Sequence, residues 1–283
     1  MINKNKLTDD LKPLVIDLYV NKQYGASKVA EIINIPVGQI RKFLKEKDLT
    51  RKPGTTKRYK CENESFFDII DTEHKAYWLG VMFADGNLQK QGNQSGRVIL
   101  SSKDTEWVES FRQDLKYNGP LTEEIHKKYN KKISKLRINN DNLFNSLCNL
   151  GCTPRKSLNI KFPNIPEHLI RHFIRGYFDG DGSVGIYNNS TSNPYKTLRS
   201  TIVSGSKEFL EEMIKYIPVS KKTINKHKEK ILYALCFSVN DSIKLYNYMY
   251  KDSTVFLERK KIIFENFIQE RRSTTIIEES RSD

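Results

Sequence analysis

A ten-residue segment that occurs twice constrains this chain more than any other feature of its sequence. The two copies are YWLGVMFADG at residues 77–86 and FIRGYFDGDG at residues 173–182, and they share Gly, Asp and Gly at the fourth, ninth and tenth positions. A repeat at domain-length spacing that keeps one acidic residue per copy predicts two similar halves that meet at one site. That site would hold Asp85 and Asp181.

The charge of the chain indicates a polyanionic partner. Its 283 residues include 48 Lys and Arg against 34 Asp and Glu, which gives a formal net charge of +14 at pH 7. An excess of this size is typical of proteins that bind nucleic acids, although a protein of the membrane surface could also carry it. No apolar run approaches the roughly 18 residues of a spanning helix, and the N-terminus lacks the apolar core of a secretory signal. We therefore predict a nucleic-acid partner and no membrane partner.

Residues 1–50 predict a small all-α domain. Apolar residues recur at helical spacing, and a break at residues 34–36 separates two short helices in a pattern similar to a helix-turn-helix. The second of these helices would present four polar side chains to a DNA major groove: Gln39, Arg41, Lys42 and Lys45. A helical cap on the neighbouring domain would show the same pattern, so both interpretations stay open.

A basic linker, residues 51–65, follows this helix-turn-helix-like domain. Its N-terminal part, RKPGTTKRYK, contains a Pro-Gly break and no acidic side chain. Such arms run along phosphates or enter a minor groove, which makes four of its basic residues candidate DNA contacts: Arg51, Lys52, Lys57 and Arg58. A solvated tether has the same composition.

The rest of the chain divides into two halves with the same predicted element order, αββαββα, and the predicted fold class is α+β. The first half covers residues 66–150 and the second residues 167–270, with a proline-containing connector at 151–166. In each half an Asn-Asp pair, at 140–141 and 240–241, is predicted to cap the last helix. The acidic, serine-bearing C-terminal residues, 271–283, are predicted to be disordered.

Each copy of the repeat is predicted to be a helix whose small residues lie on one face. These residues are Gly80 and Ala84 in the first copy and Gly176 and Gly180 in the second, and they would let two helix backbones approach closely. Each helix would end at its aspartate, just before a glycine suited to a left-handed cap.

A carboxylate at the C-terminal end of a helix meets the negative end of the helix dipole, and two such ends repel each other. Divalent cations bound by Asp85 and Asp181 would offset both effects, since hard cations take carboxylate oxygens. A raised pKa on one aspartate is the competing explanation. Asp179 has no acidic counterpart in the first copy, where Phe83 stands, so a hydrogen-bonding or structural role is predicted for it.

The two repeats resemble the paired motif of the LAGLIDADG homing endonucleases in their single-chain, two-motif form. The motif copies are WLGVMFADG at 78–86 and IRGYFDGDG at 174–182, and the flanking segments DTEHKAYWLG, TPRKS and FLERK are also similar to those of the family. The resemblance implies pseudo-symmetric halves whose antiparallel sheets form a saddle over DNA, with the motif helices at its centre. It also implies a monomer that carries out intron homing by cutting double-stranded DNA at a long, specific target site.

The chemistry of the site is a further implication of the resemblance. Mg²⁺, with Mn²⁺ as a substitute, would be bound by Asp85 and Asp181, and hydrolysis would leave short 3′ overhangs. A basic residue from each half would stand near the cleavage centre, and by position these are Lys156 of TPRKS and Lys260 of FLERK. They would orient water or stabilise the developing charge on phosphorus, with ordinary phosphate contacts as the alternative.

Polar segments after each motif and the later hairpins of each half are the candidate DNA contacts. Asn, Gln, Lys and Arg match base edges in a major groove, and hairpin lysines favour phosphates, although a solvated hairpin tip would have the same composition. In the first half the candidates are Asn87, Gln89, Lys90, Gln94, Arg97, Lys127, Lys128, Lys135 and Arg137. In the second half they are Asn188, Asn189, Lys196, Arg199, Lys221, Lys222 and Lys228.

Two other functions stay open for this chain. A protein similar to this family could bind DNA as a regulator without cutting it, or could help an intron RNA to fold as a maturase. Retention of both helix-end aspartates favours the enzyme. Because the chain opens with Met1 rather than Cys or Ser, we expect a free-standing protein rather than an intein. We expect it in the cytoplasm of a bacterium or phage host, with an organelle as the alternative.

Overall fold

A computed structural model describes residues 6–22, 24–50, 59–90, 92, 94–126, 130–190, 193–220 and 222–279. Contacts between Cα atoms divide the chain into two compact units, Met1–Arg58 and Tyr59–Asp283. No helix in this described part of the chain is both long and apolar enough to cross a membrane.

The N-terminal unit is helical and has its own apolar core. Its elements are a 3-10 turn (Asp9–Leu11), α1 (Lys12–Ile16), a π-helical turn (Asp17–Asn21), α2 (Ala26–Ile33) and α3 (Val37–Glu46). Helix α2 ends at Asn34, whose left-handed backbone (φ 55°) leads the chain toward α3. The break predicted at residues 34–36 is therefore present. Val15, Val29 and Ile40 are fully buried in the core that these helices share.

The larger unit contains two halves that repeat one order of elements. The first half consists of α4 (Glu73–Ala84), β1 (Asn87–Gln89), β2 (Arg97–Ser102), α5 (Thr105–Asp114), β3 (Leu121–His126), β4 (Lys131–Asn139) and α6 (Asp141–Asn149). The second consists of α7 (Glu167–Asp181), β5 (Gly182–Ser190), β6 (Asn193–Ser204), α8 (Lys207–Met213), β7 (Ile224–Lys226), β8 (Tyr233–Phe237) and α9 (Val239–Tyr250). A further helix, α10 (Glu258–Glu279), follows. Both halves have the predicted order αββαββα, and the α+β fold class is confirmed.

Each half contains one four-stranded antiparallel sheet. The strand orders are β1-β2-β4-β3 and β5-β6-β8-β7, so the two sheets have equivalent connections. Alternate residues, such as Val98 and Leu136 in the first sheet and Leu198 and Leu235 in the second, are buried in the core with the helices. The residues between them leave a solvent-facing side on each sheet, where a ligand can contact the protein.

Helices α4 and α7 pack with their backbones in direct contact. A Cβ atom placed on Gly80 would lie 2.0 Å from the carbonyl oxygen of Phe173, and one on Gly176 would lie 1.9 Å from that of Tyr77. Because both obstacles are backbone atoms, only glycine permits this approach. The close packing predicted from the small residues is therefore confirmed. It brings the C-terminal ends of the two helices side by side.

Side chains cap helices at the ends of both halves. Asn140 accepts a hydrogen bond from the backbone N–H of Leu143 at 2.9 Å, as predicted for α6. The equivalent prediction for Asn240 was wrong, because α9 begins earlier: Ser238 is its N-cap and accepts from the N–H of Asp241 at 3.4 Å. A serine hydroxyl is as good a cap as an asparagine amide, so the helix begins at the first suitable residue.

Helix α10 extends to Glu279, into the segment 271–283 that the sequence predicted to be disordered. Phe264 and Phe267 are buried and anchor the first part of this helix in the core. Extending an existing helix adds hydrogen bonds without the cost of a new nucleus, so polar composition is a poor guide to its end. This corrects the prediction for residues 271–279, while residues 280–283 lie outside the described residues.

Candidate active site

The two aspartates of the repeat lie at the adjoining ends of α4 and α7. Asp85 is the C-cap of α4, and Asp181 is the last residue of α7. The Asp85 Oδ2 atom is 3.3 Å from the position that a Cβ on Gly180 would occupy, so the first aspartate lies against the helix that carries the second. The structure thus brings together the two residues that the sequence singled out.

The glycines after these aspartates do not form left-handed caps, which corrects that prediction. Neither Gly86 nor Gly182 has a left-handed φ, and Gly182 is extended (φ −80°, ψ 159°) because α7 leads directly into β5. Glycine is needed there for space. A Cβ on Gly86 would lie 2.4 Å from the carbonyl oxygen of Met82, and one on Gly182 would lie 2.5 Å from that of Phe178.

The two predicted lysines lie at equivalent places beside these helix ends. Lys156 donates a hydrogen bond to the carbonyl oxygen of Gly86. Lys260 donates to the carbonyl oxygens of Gly182 at 2.5 Å and of Phe178 at 2.7 Å. Both lysine side chains are buried. Each ammonium therefore binds backbone carbonyl oxygen at the end of one motif helix and offsets the negative end of the helix dipole.

Burial disfavours the charged form of both aspartates. It raises the pKa of Asp181 to about 6, and the neighbouring charge of Asp85 adds to the shift, while Lys156 and Lys260 oppose it. Burial also raises the pKa of Asp85, against the charges of Lys260, Lys156 and Arg259. Asp85 is exposed and Asp181 half-buried beside the two buried lysines, and the raised pKa of each aspartate shows that its carboxylate remains under-compensated. Such a site can accept additional positive charge.

The raised pKa of Asp181 predicts that Asp181→Asn stabilises the protein when no divalent cation is present. The folded protein holds the proton up to about pH 6 and the unfolded chain only to the ordinary pKa of 3.8, so the stability of the wild type falls as the pH rises through this window. At pH 8 the ionised carboxylate costs up to about 3 kcal/mol, which asparagine removes. Urea denaturation in EDTA should show the variant more stable at pH 8 and equal to the wild type near pH 4.

A surface substitution, Glu208→Gln on α8, provides the control for this comparison. Glu208 is exposed, so its substitution should leave the free energy of unfolding within about 0.5 kcal/mol at both pH values. If the Asp181→Asn variant is no more stable than the wild type at pH 8, the ionised carboxylate of Asp181 does not destabilise the folded protein, which contradicts this account.

Asp179 has the structural role that the sequence predicted. It is 1% exposed and accepts hydrogen bonds from the hydroxyls of Tyr77 at 2.7 Å and Tyr250 at 2.6 Å, and from the N–H of Leu257 at 2.7 Å. These partners come from α4, α9 and the start of the α10 segment. Asp179 therefore joins three parts of the core, and its carboxylate is taken up by these three donors.

An ion pair between Asp104 and Arg259, next to Lys260, was not predicted from the sequence. The Nε atom of Arg259 lies 3.0 Å from each carboxylate oxygen of Asp104, which precedes α5 in the first half. A signal was available, because an arginine precedes the predicted lysine in both TPRKS and FLERK, at Arg155 and Arg259. The acidic partner is remote in sequence, so no local pattern predicted it.

The solvent-facing side of the first sheet carries most of its predicted DNA contacts. Direct cross-strand pairing places Asn87 and Arg137 on either side of Ile99, Gln89 beside Arg97, and Lys135 beside Ser101. The residues that share this side are Asn87, Gln89, Arg97, Lys135 and Arg137. Glu124 lies on the same side and binds Lys135 at 2.6 Å and Arg137 at 3.5 Å. Lys90 lies beyond this group and pairs with Asp141 at 3.4 Å, and Gln94 is exposed in the following loop.

The second sheet presents fewer of its predicted contacts. Arg199 is exposed and stacks its guanidinium over the ring of Tyr187 at 5.7 Å. Asn188 and Lys196 pair with each other on the opposite side of the sheet, and the Lys196 ammonium binds Glu270 at 3.1 Å.

Two predicted lysines of the following hairpin differ in their surroundings. Lys222 forms an ion pair with Asp241 in which the two side chains are only 13% and 6% exposed, so its ammonium is not available to DNA. Lys228 is exposed. The first lysine is held because the segment before β7 lies against the start of α9, where Ser220 also donates to Asp241, a tertiary contact that charge clustering does not predict.

On α3 of the N-terminal unit, Arg41, Lys42 and Lys45 are exposed, and the side-chain oxygen of Gln39 accepts a hydrogen bond from the N–H of Leu7 at 2.8 Å. The role of the N-terminal unit in reading DNA stays a prediction.

Several predicted contacts lie outside the described residues: Arg51, Lys52, Lys57, Arg58, Lys127, Lys128, Lys221 and the side chain of Asn189.

The chain matches a known domain family over part of the second half. Residues 168–244 match the family described as a LAGLIDADG-like domain, which confirms the resemblance seen in the sequence. This segment begins in α7 and ends in α9, and the first half repeats its order of elements.

Known proteins resemble the chain at low identity. The Replication factor C small subunit of Methanocaldococcus jannaschii is 23% identical over 266 residues, and the match covers 92% of this chain but only 13% of that protein. The homing endonuclease I-WcaI bound to its DNA recognition sequence is 14% identical, with a TM-score of 0.48, over 78% of this chain and 97% of that one. The I-SmaMI LAGLIDADG homing endonuclease bound to cleaved DNA is 12% identical, with a TM-score of 0.48, over 75% of this chain and 92% of that one.

Proposed function

We propose that this protein is a site-specific endonuclease that hydrolyses double-stranded DNA with divalent metal ions held by Asp85 and Asp181. One observation carries the proposal: two carboxylates, one from each half, converge at the adjoining ends of α4 and α7, and the solvent-facing sides of the two sheets carry basic and amide side chains. The LAGLIDADG-like domain at residues 168–244 supports the same activity.

The residues of the site fit a small divalent cation. Across the described residues, no group of three or more His, Cys, Asp and Glu side chains is placed to hold a metal ion by itself. Mg²⁺ is commonly bound through one or two carboxylates, with water and substrate phosphates as its other ligands. Asp85 and Asp181 are such a pair, and the raised pKa of each shows that its negative charge lacks full compensation.

The protein's contribution to hydrolysis is to fix charge and position. A bound divalent cation supplies stabilisation of the attacking and leaving oxygens of an in-line displacement. Asp85 and Asp181 stand at rigid helix ends, and Lys156 and Lys260 hold the carbonyls of those ends in place. Water attacks phosphorus and loses a proton, the bond to the 3′ oxygen breaks with its electron pair going to that oxygen, and the 3′ oxygen takes a proton to become a hydroxyl, while the phosphate stays on the 5′ side. Displacement at both strands leaves short 3′ overhangs.

The solvent-facing sides of the two sheets are proposed to contact bases in adjoining major grooves. Arg97, Arg137 and Arg199 offer the paired donors that recognise guanine, and Asn87 and Gln89 offer the donor and acceptor that recognise adenine. The exposed basic side chains of α3 would extend the contact, with phosphates supplying a strongly salt-dependent part of the affinity. A single chain with two such sheets can read a long asymmetric site as a monomer.

The exposed thiol of Cys236 predicts how DNA covers the second sheet. Cys236 pairs directly with Thr201 on the solvent-facing side, whereas Cys61 is half-buried. Target duplex in Ca²⁺ should slow alkylation of Cys236 by about tenfold when the DNA stands at ten times its Kd. Peptide mass spectrometry after maleimide treatment gives the rate at each cysteine, and Cys61 serves as the internal control. Unchanged alkylation of Cys236 in the bound state would show that DNA lies elsewhere.

Cleavage of a defined plasmid tests the activity itself. The plasmid carries the uninterrupted DNA sequence that flanks the protein's own gene, and it is incubated with protein in Mg²⁺ and, separately, in Ca²⁺. We expect linear product in Mg²⁺ only, with ends that carry short 3′ overhangs. DNA binding without any break in Mg²⁺ or Mn²⁺ would identify a non-cleaving regulator. Selective binding of the intron RNA without DNA cleavage would identify a maturase.

A further inference from the structure

Arg259 is held at the edge of the active site by one of its donors while the others remain available. Its Nε atom contacts both carboxylate oxygens of Asp104 at 3.0 Å. Among the described residues, no protein acceptor lies within hydrogen-bond distance of its terminal nitrogens, Nη1 and Nη2. The side chain of Arg259 is 44% exposed and that of Asp104 is 20% exposed. The guanidinium is therefore fixed in orientation but presents a free pair of amino groups to solvent.

The contacts of Arg259 place its guanidinium near one of the two aspartates, Asp85. Arg259 directly precedes Lys260, whose ammonium binds the end of α7. Its partner Asp104 directly precedes α5 of the first half, the half whose motif helix α4 ends at Asp85. The ion pair thus holds the guanidinium of Arg259 on the half that carries Asp85.

Asp104 gives up an ordinary helix contact to hold Arg259. It occupies the N-cap position of α5, yet its side chain accepts no capping hydrogen bond. The equivalent residue of the second half, Ser206, caps α8 by accepting the N–H of Phe209 at 3.3 Å. A capping contact stabilises a helix by about 1 kcal/mol, and Asp104 binds Arg259 instead.

Within the described residues, the other end of the site has no ion pair equivalent to that of Arg259 with Asp104. Arg155 precedes Lys156 as Arg259 precedes Lys260, but Arg155 has a left-handed backbone (φ 59°) and makes no ion pair within the described residues. The residue of the second half that is equivalent to Asp104 is Ser206, which is uncharged and cannot form an ion pair with an arginine. An orientated arginine therefore stands beside one aspartate only.

We propose that Arg259 binds the scissile phosphate of the strand cut on the Asp85 side, and that Asp104 is the positioning residue that orients it. Two amino groups in one plane match two non-bridging phosphate oxygens, and this contact would strengthen as negative charge develops in the displacement. The inference rests on the proposed endonuclease function. It adds that the two strands are cut with unequal help from the protein.

Single-turnover cleavage of a duplex with separately labelled strands tests the proposal. At saturating protein in Mg²⁺, Arg259→Met should slow one strand by about tenfold or more and leave the other within about twofold, so that a nicked product accumulates. Arg259→Lys should restore part of the rate, and Asp104→Asn should slow the same strand. Arg155→Met is the matched control and should leave both strands unchanged. Equal slowing of both strands, or of neither, by Arg259→Met would overturn the proposal.

A binding measurement keeps this inference separate from the proposed function. Duplexes that carry one uncharged methylphosphonate at either scissile position are titrated with protein in Ca²⁺, where no cutting is needed. Wild-type protein should lose affinity for one of the two duplexes, and Arg259→Met should bind both equally. If the wild type binds DNA but never cuts it, the endonuclease proposal fails, while this titration still decides where Arg259 binds. Equal affinity of the wild type for both duplexes would refute the phosphate contact.

Discussion

Asp85→Asn and Asp181→Asn are each expected to abolish double-strand cleavage while leaving DNA binding nearly unchanged. Asparagine keeps the size of the side chain but removes the negative charge that a divalent cation needs at the ends of α4 and α7. A fall in rate of about a thousandfold or more corresponds to about 4 kcal/mol of lost transition-state stabilisation. The measurement is single-turnover cleavage in Mg²⁺ beside a binding titration in Ca²⁺.

The surface variant Glu208→Gln controls for a general effect of removing an acid, and it should cut at the wild-type rate. Undiminished cutting by either asparagine variant would remove that aspartate from the site. Loss of binding together with cleavage would indicate that the carboxylate supports the fold or the DNA interface rather than the reaction.

Asp179→Ala is expected to destabilise the larger unit by about 3–5 kcal/mol, because it leaves two buried hydroxyls and a buried N–H without an acceptor. Asp179 is the shared acceptor of Tyr77, Tyr250 and Leu257 in the core. Urea denaturation followed by circular dichroism gives the change in the free energy of unfolding.

Tyr250→Phe is the matched control for that substitution, since it removes one of the three hydrogen bonds and keeps the ring. It should cost about 1–2 kcal/mol, clearly less than the loss of the carboxylate. If Asp179→Ala lowers the free energy of unfolding by less than about 1 kcal/mol, water replaces the carboxylate, and the hydrogen bonds of Asp179 contribute little to the stability of the core.

The convergence of the two aspartates could be predicted because a repeated sequence fixes the phase of two helices at once. Gly80 and Gly176 lie on the contacting faces, and the helical period then sets Asp85 and Asp181 at the adjoining ends. The order αββαββα followed from the same repetition. Each of these features depends on spacing along one segment, which the sequence shows directly.

Features that depend on contacts between segments could not be predicted in the same way. Lys196 was expected at the DNA, but the register of β5 and β6 places it on the opposite side, and a shift of one residue reverses every side chain of a strand. Lys222 was expected at a phosphate, but Asp241 binds it. Asp104 reaches Arg259 across the two halves. Partners of this kind become visible only when the chain is folded.

Binding of Mn²⁺ to the protein–DNA complex, followed by electron paramagnetic resonance, tests the central claim most directly. The wild-type complex should bind Mn²⁺ with a signal distinct from that of protein or duplex alone, because Asp85, Asp181 and the phosphates together complete the site. A variant with both aspartates changed to asparagine should bind the same DNA and lose that signal. Equal Mn²⁺ binding by the two complexes would contradict the claim that these carboxylates hold the metal.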